Sequence, residues 1–345
     1  MKRIFIFITI LFLGWNLAGQ DLHFSQYNQA PMSLNPALTG AFNGKHRIGA
    51  NYKSQWYHIS EAYLTYGIAY GLGILRNSGK GGFLGIGLQF YNDVAGVNKL
   101  GTMQENLSVA YHLPVSSRNI ISAGLSGGFT QRSIRKDKMQ WASQYDPAYS
   151  DGFNPALTPG EPAPFGTMNV GDFSAGLLWT YSKPATAAGE NNAKKVQAGW
   201  ALYHINRPKQ TYYDIADKKM FMKMALHVNS YIGFWNTSLA LVPSAVWYHQ
   251  GPSNEILAGA LLHIGLSGPS LAGTQRETSL SLGAYYRIND AVIACAQFEY
   301  RNFLLGLSYD VNTSELSAAS KYLGGLEVSL RYCVPLPESK NSSLF

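Results

Sequence analysis

The feature that most narrows what this chain can fold into is a two-residue alternation that restarts after each short turn along nearly the whole sequence. Residues 82–91 set Leu84, Ile86, Leu88 and Phe90 against Gly85, Gly87 and Gln89. Residues 62–72 set Leu64, Tyr66, Ile68, Tyr70 and Leu72 against Tyr63, Thr65, Gly67, Ala69 and Gly71. A strand sends successive side chains to opposite faces, so each segment is apolar on one face and small or polar on the other. The pattern recurs at Leu107, Val109, Tyr111 and Leu113; in residues 120–129; at Phe173, Ala175, Leu177, Trp179 and Tyr181; and at Val196, Ala198, Trp200 and Leu202. It continues through Met222, Met224, Leu226 and Val228, through 239–249 with Pro243 read as a bulge, and through Ile256, Ala258, Ala260, Leu262 and Ile264. Residues 280–286, 291–300, 303–309 and 326–332 complete it. With 45–56 this makes about 14 strands, an even number, as a closed single-chain barrel of a bacterial outer membrane requires. The fold expected is all-β, an antiparallel transmembrane barrel.

Composition enters where a soluble sheet protein must be weighed against a membrane one. Charged residues are 14%, against a usual value of about 25%, while aromatics reach 13% and glycine 35 of 345. Small and polar residues on the second face suit a wet interior, and an apolar first face suits lipid. The formal charge of +7 is spread along the chain with no basic block, which excludes a nucleic-acid-binding surface of the usual kind. The expected partner is the lipid bilayer instead. At the start, Lys2 and Arg3 precede an apolar run at 4–13 too short to span a bilayer, followed by Leu17-Ala18-Gly19. This reads as a secretory signal peptide at 1–19 that is cleaved, sending the protein to the outer membrane.

Residues 20–44 have no period. Pro31 and Pro36 each remove a backbone donor and fix one dihedral, so neither a long helix nor a central strand fits. A polar, turn-rich stretch leading directly into a two-faced strand is expected to be a plug inside the barrel, with the barrel itself at 45–334 and a tail at 335–345. The longest break, 130–169, begins with charge and ends with proline, yet holds Trp141, Tyr145, Tyr149, Phe153 and Phe165. Disordered tracts are poor in aromatics, so a folded external loop is expected. If both ends of the barrel face the periplasm, this loop, 206–219 and 310–322 lie outside and the turn at 114–119 lies inside. Plug and wall candidates follow. Asn35 turns the plug; Arg47 and Lys53 face inward on the first strand; Glu327 on the last strand is their candidate partner, since closure brings first and last strands together. Trp56, at a strand end, reads as an interfacial residue near that wall.

Several blocks resemble one known family. His23-Phe24-Ser25-Gln26-Tyr27, Leu34-Asn35-Pro36-Ala37, Gly40, Arg47-Ile48-Gly49-Ala50-Asn51-Tyr52 and Gln55-Trp56 are similar to the opening of the PorP/SprF outer-membrane proteins. The similarity continues through Leu113-Pro114-Val115-Ser116, His204-Ile205-Asn206-Arg207-Pro208, Gly306-Leu307-Ser308-Tyr309-Asp310-Val311 and residues 326–332. The resemblance implies a component of the type IX secretion and gliding-motility apparatus. Such a component assists export of a secreted adhesin and its retention at the cell surface. The implied partners are the adhesin's C-terminal domain and other components of the apparatus, one of them periplasmic or linked to the cell wall. It brings no catalytic residue and no cofactor.

The residues support the same class. The eight histidines stand singly, with no His-x-x-His or His-x-x-x-His spacing for a metal. Gly79-Lys80 fails as a phosphate loop, because Ile74 stands where the first glycine belongs and Gly81 where Ser or Thr belongs. No feature singles out a Ser-His nucleophile pair. Cys295 and Cys333 fit either two packed thiols or a disulfide, which needs Cα atoms within about 7 Å. Against the secretion reading stands a transporter for a hydrophobic or small polar solute, with the N-terminal segment as hatch. A continuous apolar tunnel would mark the transporter, and a polar, filled lumen the scaffold.

Overall fold

The computed structural model describes residues 21, 23–57, 61–74, 81–96, 99–135, 139–160, 166–185, 191–209, 219–266, 278–314 and 317–335. The expected signal peptide, the tail beyond Pro335 and the Gly79-Lys80 turn lie outside them.

The strands are β1 (His46–Gln55), β2 (Tyr63–Ile74), β3 (Phe83–Ala95), β4 (Leu100–Pro114), β5 (Asn119–Ser133), β6 (Thr167–Lys183) and β7 (Lys194–Tyr203). They continue with β8 (Lys223–Gly233), β9 (Leu239–Gln250), β10 (Ser253–Gly265), β11 (Thr278–Arg287), β12 (Ala291–Tyr300), β13 (Phe303–Asn312) and β14 (Leu323–Val334). Each pairs antiparallel with its neighbours in sequence, and β1 pairs with β14 from His46↔Val334 to Gln55↔Gly325, closing the barrel. Closure leaves no unpaired sheet edge, which is what hydrocarbon demands of a spanning sheet. The outward faces carry Ile68, Leu88, Leu125, Phe173 and Leu177, with Leu125 69% exposed. An apolar belt running round the whole wall far exceeds the patches of a few hundred Å² that soluble proteins carry. The chain is a membrane β-barrel.

Three expectations are corrected. The break at 130–169 shortens to 134–166, because β5 runs to Ser133 and β6 starts at Thr167. Residues 100–105, before the start expected for β4, are also strand, paired up to Gly101↔Ser133. These stretches are mostly polar or small, and their few apolar residues, Leu100, Met103 and Met168, do not alternate over a run long enough to give a signal. Pro243 makes no bulge: the β8–β9 ladder stops at Asn229↔Ser244 and resumes at Ile232↔Leu241 in the same register, while β9–β10 runs through Ala260↔Pro243 unbroken. The missing donor opens the ladder on one side only. A register shift does occur between Asp310 and Val311.

The rim where β1 begins and β14 ends is called the near rim; the rim where β1 ends is the far rim. Odd-numbered connections, including 134–166 and 204–222, lie on the far rim. The near rim is not uniformly short, since 184–193 and 266–277 are on it.

Candidate functional site

Residues 23–42 lie inside the barrel. They form two 3₁₀ turns (Tyr27–Gln29 and Pro36–Leu38) around one α-helical turn (Pro31–Leu34), and Pro31 and Pro36 each sit at the start of a turn, where a missing N–H costs nothing. Side chains all round the wall touch this luminal segment, so it runs from the far rim to the near rim before becoming β1.

At the far rim the segment is held by charge. Glu327 on β14 accepts the backbone N–H groups of Ser25 (2.7 Å) and Gln26 (2.9 Å). The Ser25 hydroxyl donates to Asp310 of β13 (2.9 Å) and accepts from Arg287 of β11 (2.8 Å), and Arg287 also donates to Asp310 (3.0 Å). Gln26 bridges back to β14, donating to Glu327 O (3.3 Å) and accepting from Ser329 Oγ (2.9 Å). Lys53 Nζ donates to His23 O at 3.2 Å. Buried acids and bases survive here because each has a partner.

His204, just past β7 and in the left-handed region at φ 56°, closes the cluster. Its Nε2 contacts Asp21 and its Nδ1 lies 2.7 Å from Asp172 of β6. Burial pulls the imidazole pKa down, but the two carboxylates outweigh it and raise the value to about 9. For Asp21 burial works upward, yet the His204 hydrogen bond and charge, with Lys223 and Arg132, leave its carboxyl well below the ordinary range. His23 behaves oppositely: burial, then Lys53, Arg287 and Lys223, push it well below its usual value. Its 3.4 Å contact with Glu255 is therefore made by a neutral ring, not an ion pair.

Deeper in, Asn35 is fully buried and donates through Nδ2 to Leu177 O (2.9 Å), while its Oδ1 accepts from Ala37 N (2.8 Å). It fits because β6 and β7 present Gly176 and Gly199 there; a Cβ at Gly199 would stand 2.6 Å from Asn35 Nδ2. At Gly124 on β5 a Cβ would meet Ala37 N and Pro36 C, each at 2.5 Å. His112 of β4 donates from Nε2 to Thr39 O (2.8 Å), which leaves Nδ1 to accept from the Ser122 hydroxyl (2.8 Å).

Of the candidates read from the sequence, Asn35 and Glu327 touch both segment and wall. Arg47 does not meet Glu327: Arg47 is level with Cys333, whereas Lys53 is level with Glu327. Six residues along a strand is about 20 Å. Trp56 belongs to the far rim, its ring edge-on to Tyr63 with centroids 4.9 Å apart, and its backbone N–H donating to Gly324 O. Cys295 and Cys333 are free thiols. Cys295 shares the level of Ser308 and hence of Glu327, six residues from Cys333 along β14, beyond disulfide reach. Sequence reading missed His204, Asp172, Arg287 and Asp310. Their signal was present: Asp172, Arg287 and Asp310 stand at inward positions of alternating strands. Among the described residues no group of three His, Cys, Asp or Glu is placed to hold a metal ion.

The profile of a protein family described as "type IX secretion system membrane protein PorP/SprF" matches residues 16–332. The chain belongs to the PorP/SprF family. The match takes in the whole luminal segment and every strand of this PorP/SprF barrel, stopping two residues short of the end of β14. A secretion membrane protein of this family has a non-catalytic role and partners within the secretion system. No curated protein sequence matches the chain. Solved structures with some likeness include the CymD monoaromatic hydrocarbon channel, at 11% identity over 92% of this chain and 96% of that one, TM-score 0.44. A Pseudomonas aeruginosa FadL homologue gives 10%, 86%, 92% and 0.42 on the same measures. BamA from Haemophilus ducreyi lacking POTRA domains 1–3 gives 9%, 84%, 70% and 0.41. Likeness at this level says nothing of what the PorP/SprF barrel carries.

Proposed function

We propose that this PorP/SprF protein is a non-enzymatic outer-membrane barrel that assists export of a secreted adhesin or other cargo and holds it at the cell surface, reaching the membrane through the cleaved signal at 1–19. The observation that carries the reading is the lumen: residues 23–42 run through it and are bonded to β3, β4, β6, β11, β13 and β14. A barrel filled by its own chain offers rims and loops, not a conduit. In this reading the near rim is periplasmic and meets a motor or cell-wall-linked partner. The far rim, with 134–166 and its bridge between Tyr145 and Phe153, faces outward and receives the cargo.

For a hydrophobic solute the transporter reading needs an apolar path past the segment. The lumen instead keeps a cavity of about 520 Å³ with Arg47, Lys195, Arg331, Gln197 and Glu299 in its walls, which favours the scaffold. Deleting the gene and measuring surface adhesin beside solute uptake separates the two. Loss of surface adhesin with uptake intact is the expected result, together with co-purification of the barrel with the adhesin's C-terminal domain. Intact surface adhesin and failed uptake would overturn the proposal.

A further inference from the structure

The near-rim half of the lumen holds the cavity just described, and its lining is one-sided in charge. Arg47 of β1, Lys195 of β7 and Arg331 of β14 reach it from opposite walls, with Arg301 at its mouth and Glu299 as the single carboxylate among the described lining residues. Glu299 is taken by Arg331 at 2.8 Å. Among the described residues Arg47 and Lys195 have no acidic partner within ion-pair distance; each lies within electrostatic reach of Arg331, and Arg47 also of Glu299. Like charges are gathered here at a cost that a bound anion would remove.

Arg47 Nη2 is buried and has no hydrogen-bond partner among the described residues, so a donor is aimed at nothing. Asn28 Oδ1 and Gln29 Oε1 on the luminal segment and Asn229 Oδ1 on β8 are buried acceptors in the same condition, and all three residues line the cavity. Buried polar atoms without partners are uncommon, and each asks for an explanation. Leu34, Leu38, Phe42, Val242 and Leu261 supply an apolar patch beside them. The volume lies within the range of pockets that take small ligands.

From these atoms we infer that the near-rim cavity binds a peptide carboxylate: a short chain end or acidic residue whose carboxylate meets Arg47 and Lys195, whose N–H groups reach Asn28, Gln29 and Asn229, and whose apolar side chain rests against Leu38 and Phe42. The unpartnered acceptors distinguish a peptide from a fatty acid, which has a carboxylate and an apolar body but no N–H to give. Inorganic anions lack the apolar part. The inference rests on the cavity alone and stands whether or not the adhesin reading does.

Calorimetric titration of the purified full-length barrel in detergent tests it, with acetyl-alanyl-leucine as the free acid, its C-terminal amide, and decanoate as probes. The acid is expected to bind and the amide at least tenfold more weakly, about 1.4 kcal/mol. Lys195→Gln should weaken the acid by at least tenfold. Glu299→Gln should tighten it several-fold, because it frees Arg331; a merely structural role for these side chains predicts no gain in affinity. Retention of the heat-modifiable folded band on gels shows that each variant still forms the barrel, and the gain in Glu299→Gln is informative without the other variant. Equal binding of acid and amide, decanoate binding as tightly as the peptide, no peptide binding at all, or no shift in Glu299→Gln would each overturn the inference.

Discussion

Replacing Glu327 by alanine tests most directly how the luminal segment is held. Its carboxylate accepts two buried backbone donors, Ser25 N at 2.7 Å and Gln26 N at 2.9 Å, and stands level with Lys53. Each buried donor left without an acceptor costs roughly 1–3 kcal/mol, and donors to a charged group sit at the upper end. Two of them give about 2–6 kcal/mol. The loss is local, because the Arg287–Ser25–Asp310 bonds persist in the variant and the β1–β14 ladder does not depend on the side chain. Opening of residues 21–30 should therefore become at least about 30-fold easier while the barrel stays closed. Hydrogen exchange of the purified protein in detergent reads this directly, as faster exchange of the peptide carrying Ser25 and Gln26. Exchange around Ala37, held separately by Asn35, should change little. Glu327→Gln, which keeps one acceptor, should fall between wild type and alanine. Unchanged exchange at Ser25 and Gln26 in a folded Glu327→Ala barrel would refute the claim that this carboxylate anchors the segment.

The Asp21–His204–Asp172 contact should depend on pH in a definite direction. His204 is raised to about 9, so its contribution is complete below its ordinary value of 6.5 and fades as pH rises through about 9. Asp21 is lowered, so its contribution holds above the ordinary carboxylate value and fades only as pH falls through the lowered one. The His204 part is worth on the order of 3 kcal/mol; proteolytic release of the N-terminal segment should rise between about pH 7 and pH 10, and His204→Gln should abolish that rise. Gly124→Leu puts a side chain where Ala37 N and Pro36 C already stand, so the middle of the segment should unseat and become protease-sensitive while the heat-modifiable band survives. A short epitope placed just before Asp21 should be reached by antibody on intact cells, and one placed after Pro335 should not, because Asp21 is bonded to Gln250 at the far rim and Pro335 follows β14 at the near rim.

The wall was legible because a membrane barrel offers each side chain one of two environments, and a period of two records which. Tyr66, Ile68 and Tyr70 outward and Thr65, Gly67 and Gly71 inward needed nothing beyond parity. Parity does not give height. Arg47 and Lys53 both point inward, and only the register decides that Lys53 stands opposite Glu327 while Arg47 stands opposite Cys333. Register depends on where each strand begins, and the polar ends of β4, β5 and β6 carry no alternation to mark it. The glycines misled in a similar way. Small second-face residues suit a wet lumen by pattern alone, but Gly124, Gly176 and Gly199 are places where the segment's backbone and Asn35 approach the wall too closely for a Cβ. His204 stood in the quoted block with Asn206, but its role depends on a left-handed turn and on Asp21, far away in sequence.

Where the segment is anchored also constrains how the barrel is completed. Glu327 and Ser329, which bind Ser25 and Gln26, lie on the last strand made, and Lys53, which binds His23, lies on the first. These two strands form the seam. With the segment absent, Glu327 would face the lumen and water would take the place of the Ser25 and Gln26 donors. Once the seam is paired over its whole length, residues 23–42 reach their place only by threading lengthwise from a rim, with each polar contact broken and remade along the way. Seating the segment first, while β1 and β14 are still apart, avoids that threading. The same contacts that fill the lumen thus tie the first strand to the last through the segment, Lys53 by His23 and Glu327 by Ser25 and Gln26.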